Sequence, residues 1–312
     1  MWLWIIFIAF ILFLLAVDLG VLNRQLHVPT TKEALKWTSL WASLGLSFSL
    51  VVYYLYSHHL GERDISAGTA AITYLSGYLV ELSLSMDNVF VMALIFKYFR
   101  VPLIYQHRIL FWGILGALFF RLVMIFLGVW LLEQFQWMMY VFGAILLYSA
   151  YHMLYGEEDV DPNRNPLIRY ARKMFPVTTT IDSEAFFLKR MGIRMATPLF
   201  ITLLMIETTD ILFAFDSIPA ILAITTDPFL VFSSNVFAIL GLRSLYFVLA
   251  SMMNRFEYLK YSLAFILVFV AAKMMLHSFW HPAEWVSLVV IFLSLTGGVF
   301  YSLRMTRKLE QA

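Results

Sequence analysis

Residues 81–89 read ELSLSMDNV and residues 210–218 read DILFAFDSI. In each run an acid is followed six positions later by Asp and then by a short polar residue: Glu81, Asp87 and Asn88 in the first, Asp210, Asp216 and Ser217 in the second. The correspondence continues downstream of both. ILGALFF precedes Arg121 and VFAILGL precedes Arg243, while residues 145–153 (ILLYSAYHM) and 266–274 (ILVFVAAKM) place His152 opposite Lys273. Each copy spreads over three apolar stretches. Two units of three membrane helices each face opposite ways across a bilayer. Such an inverted repeat marks transporters whose substrate site lies near the midplane, at the repeat interface.

Composition agrees with a membrane setting. The chain has 312 residues, 62% of them hydrophobic and 13% charged, about half the charged share of a soluble domain. The net charge of +2 argues against a surface that wraps nucleic acid. There is no cysteine, which excludes disulfides, thiolate metal sites, iron–sulfur clusters and thiol redox chemistry. A metal ion must therefore be held by oxygen or imidazole. Runs of about 20 apolar residues, each enough to cross the hydrocarbon layer, fall near 2–22, 37–57, 69–96, 108–132, 135–155, 197–224, 228–252, 258–279 and 284–303. This predicts an all-α polytopic membrane protein of about nine spans, one transmembrane domain over 1–312. The first repeat covers 69–155 and the second 197–279. The opening run has no Lys or Arg before it and no small-residue cleavage site after it, so it is expected to remain as a helix rather than leave as a secretory signal.

Lys and Arg gather on the cytoplasmic side of membrane proteins, and they sort sharply here. Eighteen of the 22 fall in alternate connecting segments and the tail, while the opposite set holds only Arg63. Adding or dropping one span would scramble that split. The expected topology is N-terminus outside, C-terminus cytoplasmic, in the bacterial inner membrane. The loop 156–196 opens acidic and continues as a basic stretch interleaved with apolar residues, Leu167 to Phe175. That stretch fits an interfacial amphipathic helix against anionic lipid and equally a solvated connector. Trp2, Trp37, Trp137 and Trp285 sit where interfacial anchors belong.

Ionisable side chains in hydrocarbon are costly, and a functional role is their default reading. Six acids fall within spans, Asp18, Glu81, Asp87, Glu207, Asp210 and Asp216, against three cations, Arg121, Arg243 and Lys273. If the cations pair locally as charge-balancing or coupling groups, acids remain in excess. Those must be protonated or neutralised by a bound cation. Carboxylates with the Asn88 amide and the Ser217 hydroxyl, and no sulfur, form a hard oxygen site of the kind that suits Mg²⁺, Ca²⁺ or Mn²⁺. His152 is either a further ligand or a packing residue. Residues six apart on a straight helix point about 240° from one another, so Glu81 and Asp87 cannot both face one ion without a bend. Pro219 supplies a reason to bend just past Asp216. His58 and His59, with Glu62 and Asp64 in an outer loop, are a weaker metal candidate. Two intramembrane Asp residues could also form a protease dyad sharing a proton, but no Gly-x-Gly-Asp is present.

These residues carry a resemblance. GYLVELSLSMDNVFV (77–91), TIDSEAFF (180–187), ETTDILFAFDSIPAILAITTDP (207–228), SNVFAILGLRSLYF (234–247) and LKYSLAFILVF (259–269) resemble the TerC family of integral membrane proteins, across most of spans 3 to 8. The resemblance implies the LysE transporter superfamily, Mn²⁺ export linked to alkaline pH or metal stress, and an association with tellurite resistance. It carries the family's acidic centres onto Glu81, Asp87, Glu207, Asp210 and Asp216, with Mn²⁺ as cargo rather than prosthetic group. The chain departs at Leu82 and His152, where the members it most resembles carry Lys. The expected function is proton-coupled Mn²⁺ efflux, not an enzymatic activity; Ca²⁺/H⁺ exchange and a non-transporting component of tellurite or metal resistance are the alternatives.

Overall fold

A computed structural model describes residues 2–17, 30–61, 65–135, 137–156, 165–178, 185–190, 193–250, 258–276 and 284–311. The protein is an all-α polytopic membrane protein with one small hairpin. Its helices are α1 (Trp2–Val17), α2 (Thr31–Ser57), α3 (Ala67–Tyr98), α4 (Leu103–Gln134), α5 (Met138–Tyr155), α6 (Pro166–Met174), α7 (Pro198–Leu222), α8 (Pro228–Ala250), α9 (Leu259–Met275) and α10 (Glu284–Gln311). Strands β1 (Phe187–Arg190) and β2 (Ile193–Ala196) pair antiparallel between α6 and α7. All the helices except α6 overlie the nine predicted runs one for one. Among the described residues seven are long and apolar enough to cross a membrane, and α1 is a shorter apolar helix.

A long helix such as α4 buries one face and exposes the other. In α4, Ile114, Ala117, Arg121, Ile125 and Gly128 are buried, whereas Phe119, Val123, Phe126 and Trp130 are exposed. Both sets recur at helical spacing, and the charged residue is on the inside, inverse to a soluble helix. The most enclosed helix is α8, with α3 next. They approach closely because Gly77 of α3 lies against Ser234 of α8, where a Cβ would come to 2.9 Å from the hydroxyl. Small residues at such contacts let backbones pack where no hydrophobic drive between helices exists.

α3 packs on α8 and α4 on α7, while each helix also meets its own counterpart, α3 on α7, α4 on α8 and α5 on α9. Exchanging α3, α4 and α5 for α7, α8 and α9 leaves these pairings unchanged. Glu81 of α3 and Asp210 of α7 thereby come together at Arg121, which enters from α4.

Two local details bear on expectation. α7 runs on to Leu222 with Pro219 inside its last turns. Of the two readings of the loop, the helix is the one present: Asn165 caps α6 by accepting from the Leu167 and Ile168 amides. Asp18, Glu62, Arg63 and Asp64 lie outside the described residues.

Candidate cation site

Glu81 and Asn88 lie seven residues apart on α3, as do Asp210 and Ser217 on α7. Seven residues rotate a helix by about 700°, so each pair shares a face. Glu81, Asn88, Asp210 and Ser217 are all buried. Arg121, itself 1% exposed, reaches between the two helices: one guanidinium nitrogen pairs with Glu81, and another lies 3.8 Å from Asp210 Oδ1. Asn235 of α8 anchors the same guanidinium, accepting from it through Oδ1 at 2.7 Å. The Asn235 amide is in turn held by donating to the Val231 carbonyl at 2.8 Å. One cation is thus suspended among α3, α4, α7 and α8, between the two acids that the repeat makes equivalent.

The carboxylates are not saturated by it. Glu81 Oε2, Asp210 Oδ2, Glu207 Oε2, Asn88 Oδ1 and Ser217 Oγ are buried and accept no hydrogen bond in the structure. Ser217 stands within reach of Glu81, and Glu207 interacts electrostatically with Asp210 one turn along α7. Glu207 occupies a notch in α4: a Cβ on Gly116 would overlap its carboxylate. Buried oxygens without donors are expensive, and a set of them around two carboxylates is what a hard cation satisfies. Among the described residues, no three acids or imidazoles form a ready metal cage. Asp210 and Arg243 line a cavity of about 10 Å³ with Met92, Gly113, Ile206 and Leu242, at the lower bound for a single water.

The remaining predicted residues disperse. Asp216 points away from Asp210, as six-residue spacing on an unbroken helix requires, and accepts from Ser149 of α5 at 2.5 Å. His152, which also interacts electrostatically with it, is exposed on α5 and lies beside the Tyr148 ring. Lys273 donates to Ser287 of α10 at 3.2 Å. The backbone of Asp87 belongs to α3, but its side chain lies outside the described residues.

Sequence reasoning passed over Asn235, Gly116 and Ser149. Asn235 was visible as the end of a Ser233–Ser234–Asn235 run, all three now buried, in the middle of an apolar span. A search for charge alone does not register it. Gly116 carries no chemistry and acquires its role only from the side chain facing it. A further buried acid, Asp227, is structural: one oxygen accepts from Tyr56 at 2.6 Å and the other caps α8 through the Phe229 and Leu230 amides.

The description "Integral membrane protein TerC family" matches residues 66–310. An uncharacterized membrane protein of Myxococcus xanthus is 46% identical over 98% of this chain and 93% of its own length. Proteins with the provisional name "membrane-bound redox modulator Alx" are similar too. That of Salmonella typhi is 44% identical over 94% of the chain and 91% of its own, and that of Escherichia coli K12 45% over 93% and 90%. No solved structure matches the chain.

Proposed function

Because the chain belongs to the TerC family of integral membrane proteins, we propose that it exports a divalent metal cation, foremost Mn²⁺, from the bacterial cytoplasm through the site between its two repeats. The observation that carries this reading is the buried carboxylate oxygens of Glu81 and Asp210 left without donors on either side of Arg121, with Ser217 beside Glu81 and Glu207 beside Asp210. Glu81 and Asp210 bring two negative charges, matched by a divalent ion and only half matched by one guanidinium. In this reading Arg121 is a tethered counter-cation. It holds the two acids while no metal is bound, and withdraws toward Asn235 when an ion takes their oxygens. Protons compete for the same oxygens, so proton entry from the far side releases the metal and couples its efflux to the proton gradient. Asp216 and Asp87 lie further along their helices as additional stations for the ion.

The provisional name of the relatives favours a second reading, an influence on membrane redox state. Without cysteine such an influence cannot run through thiols of this chain, and the supply of a redox-active metal ion is the route left to its oxygen ligands.

The deciding experiment is transport by purified protein in liposomes, offered Mn²⁺, Ca²⁺, Mg²⁺ and Zn²⁺ at two pH values. Mn²⁺ movement that responds to the proton gradient, and that Asp210→Asn or Glu81→Gln abolishes, is the expected result. Ca²⁺ outrunning Mn²⁺ would reassign the cargo. Protein that moves no divalent ion would sink the reading and leave a non-transporting role in metal or tellurite resistance.

A further inference from the structure

We propose that α6 lies flat in the membrane interface and binds anionic lipid, with acyl chains along one flank and phosphate headgroups along the other. Three faces of this nine-residue helix support that placement. Ile168 and Ala171 are buried against Ile201 of α7, with Phe99, Phe200, Leu204 and Met205 packed around them. Next to this face around the helix come Leu167, Tyr170 and Met174, which are 46%, 63% and 57% exposed. The opposite flank carries Arg169, Arg172 and Lys173, also exposed. At 100° per residue the apolar side chains fill about half the circumference without interruption and the cations the other part. The protein covers only part of the apolar half.

Depth follows from the contacts with α7. They run from Phe200 to Met205, and Asn165 just before α6 donates to the Met205 sulfur at 3.4 Å. Met205 is seven residues into α7, about 10 Å along its axis. α6 therefore lies alongside the first turns of a membrane helix rather than beyond its end, at the depth where interfacial helices bury an apolar face. The neighbouring hairpin extends both features. Phe187 packs between the rings of Phe175 and Phe200, and Lys189 and Arg194 are paired in register and exposed. Exposed Lys and Arg set against exposed apolar side chains at this depth complement an anionic leaflet, and a zwitterionic one far less.

The absence of cysteine makes the test clean. Single-cysteine variants at Leu167, Ile168, Tyr170, Met174, Arg169 and Lys173 are purified as full chains, spin-labelled and placed in vesicles of phosphatidylcholine with phosphatidylglycerol. Labels at 167, 170 and 174 are expected to collide with oxygen in preference to a water-soluble nickel chelate. Labels at 169 and 173 show the reverse, and the label at 168 is shielded from both. A bimane fluorophore at position 174 then reads lipid type: brominated phosphatidylglycerol quenches more strongly than brominated phosphatidylcholine. That preference drops about fivefold for each of Arg169→Gln and Lys173→Gln. If the apolar-flank labels favour the nickel chelate, the helix is in water and the proposal fails. If those labels are shielded from both reagents, protein covers this flank and the proposal fails equally. Equal quenching by the two lipids would refute the anionic preference. None of these readouts depends on ion transport, so they stand or fall separately from the exporter reading.

Discussion

Replacing Arg121 by Gln removes the one positive charge between Glu81 and Asp210 and breaks the bond to Asn235. Breaking a buried ion pair from one side costs about 3–5 kcal/mol, because the partner charge stays behind. The lost bond to Asn235, about 1.5–3 kcal/mol for a charged donor, belongs to the same network and does not add in full. A net loss of about 4 kcal/mol, at roughly 2 °C per kcal/mol for a chain of this size, lowers the melting temperature by roughly 8 °C. The assay is thermal unfolding of purified protein in detergent, followed by tryptophan fluorescence with and without Mn²⁺. With the tethered cation gone, a divalent ion meets two bare carboxylates. At an ion concentration of about 100 Kd, binding returns about 2.7 kcal/mol, two thirds of the loss. Wild-type protein gains less, since its ion must first displace the guanidinium. A Glu81→Gln/Arg121→Gln double variant leaves one buried charge instead of two; it recovers stability without metal and loses the Mn²⁺ response. Arg121→Gln melting like wild type, or Mn²⁺ shifting both proteins equally, would refute the tethered-cation reasoning.

Gly116→Ala drives a methyl group into the space of the Glu207 carboxylate and is expected to weaken divalent-ion binding about tenfold, or ~1.4 kcal/mol. Ala at Gly68, where nothing stands within 4 Å, leaves it unchanged; titration calorimetry compares the two. Tyr56→Phe deletes the 2.6 Å bond to buried Asp227 at about 1.5–3 kcal/mol, seen as a lowered melting temperature. Asp227→Ala lowers it further, because the α8 cap, worth about 1 kcal/mol, goes too. Asp216→Asn keeps a partner for Ser149 and sits away from Arg121, so it slows Mn²⁺ uptake into liposomes less than Asp210→Asn does. Equal loss in the two variants would place Asp216 in the same cluster.

The helices were legible because each is a long run of apolar side chains; the motif written twice aligned Glu81 with Asp210 and Asp87 with Asp216, but left open which of the two pairs lies at the centre. Six residues along α7 turn the Asp216 side chain toward Ser149 of α5 rather than toward Asp210. Pro219 does not end α7, which runs on to Leu222. The N–H that Pro219 lacks falls within the last turns of α7, where Gly128 of α4 packs against Ile218 and Leu222 and Gly77 of α3 against Ile221. Pairwise reading of charges assumed one cation for one acid, whereas Arg121 is shared by two acids and an amide. That arrangement depends on which helices surround α4.

From sequence alone come the membrane setting, the helices, the twice-written acidic motif and the absence of cysteine. All are properties of residue type and spacing along one chain, and hydrocarbon enforces them locally by penalising exposed backbone and charge. Tertiary structure decided which buried groups meet. It put Asn235 on the guanidinium, opened the Gly116 notch for Glu207 and laid α6 along α7. Such contacts join residues more than 30 positions apart, through helix packing that no local pattern specifies.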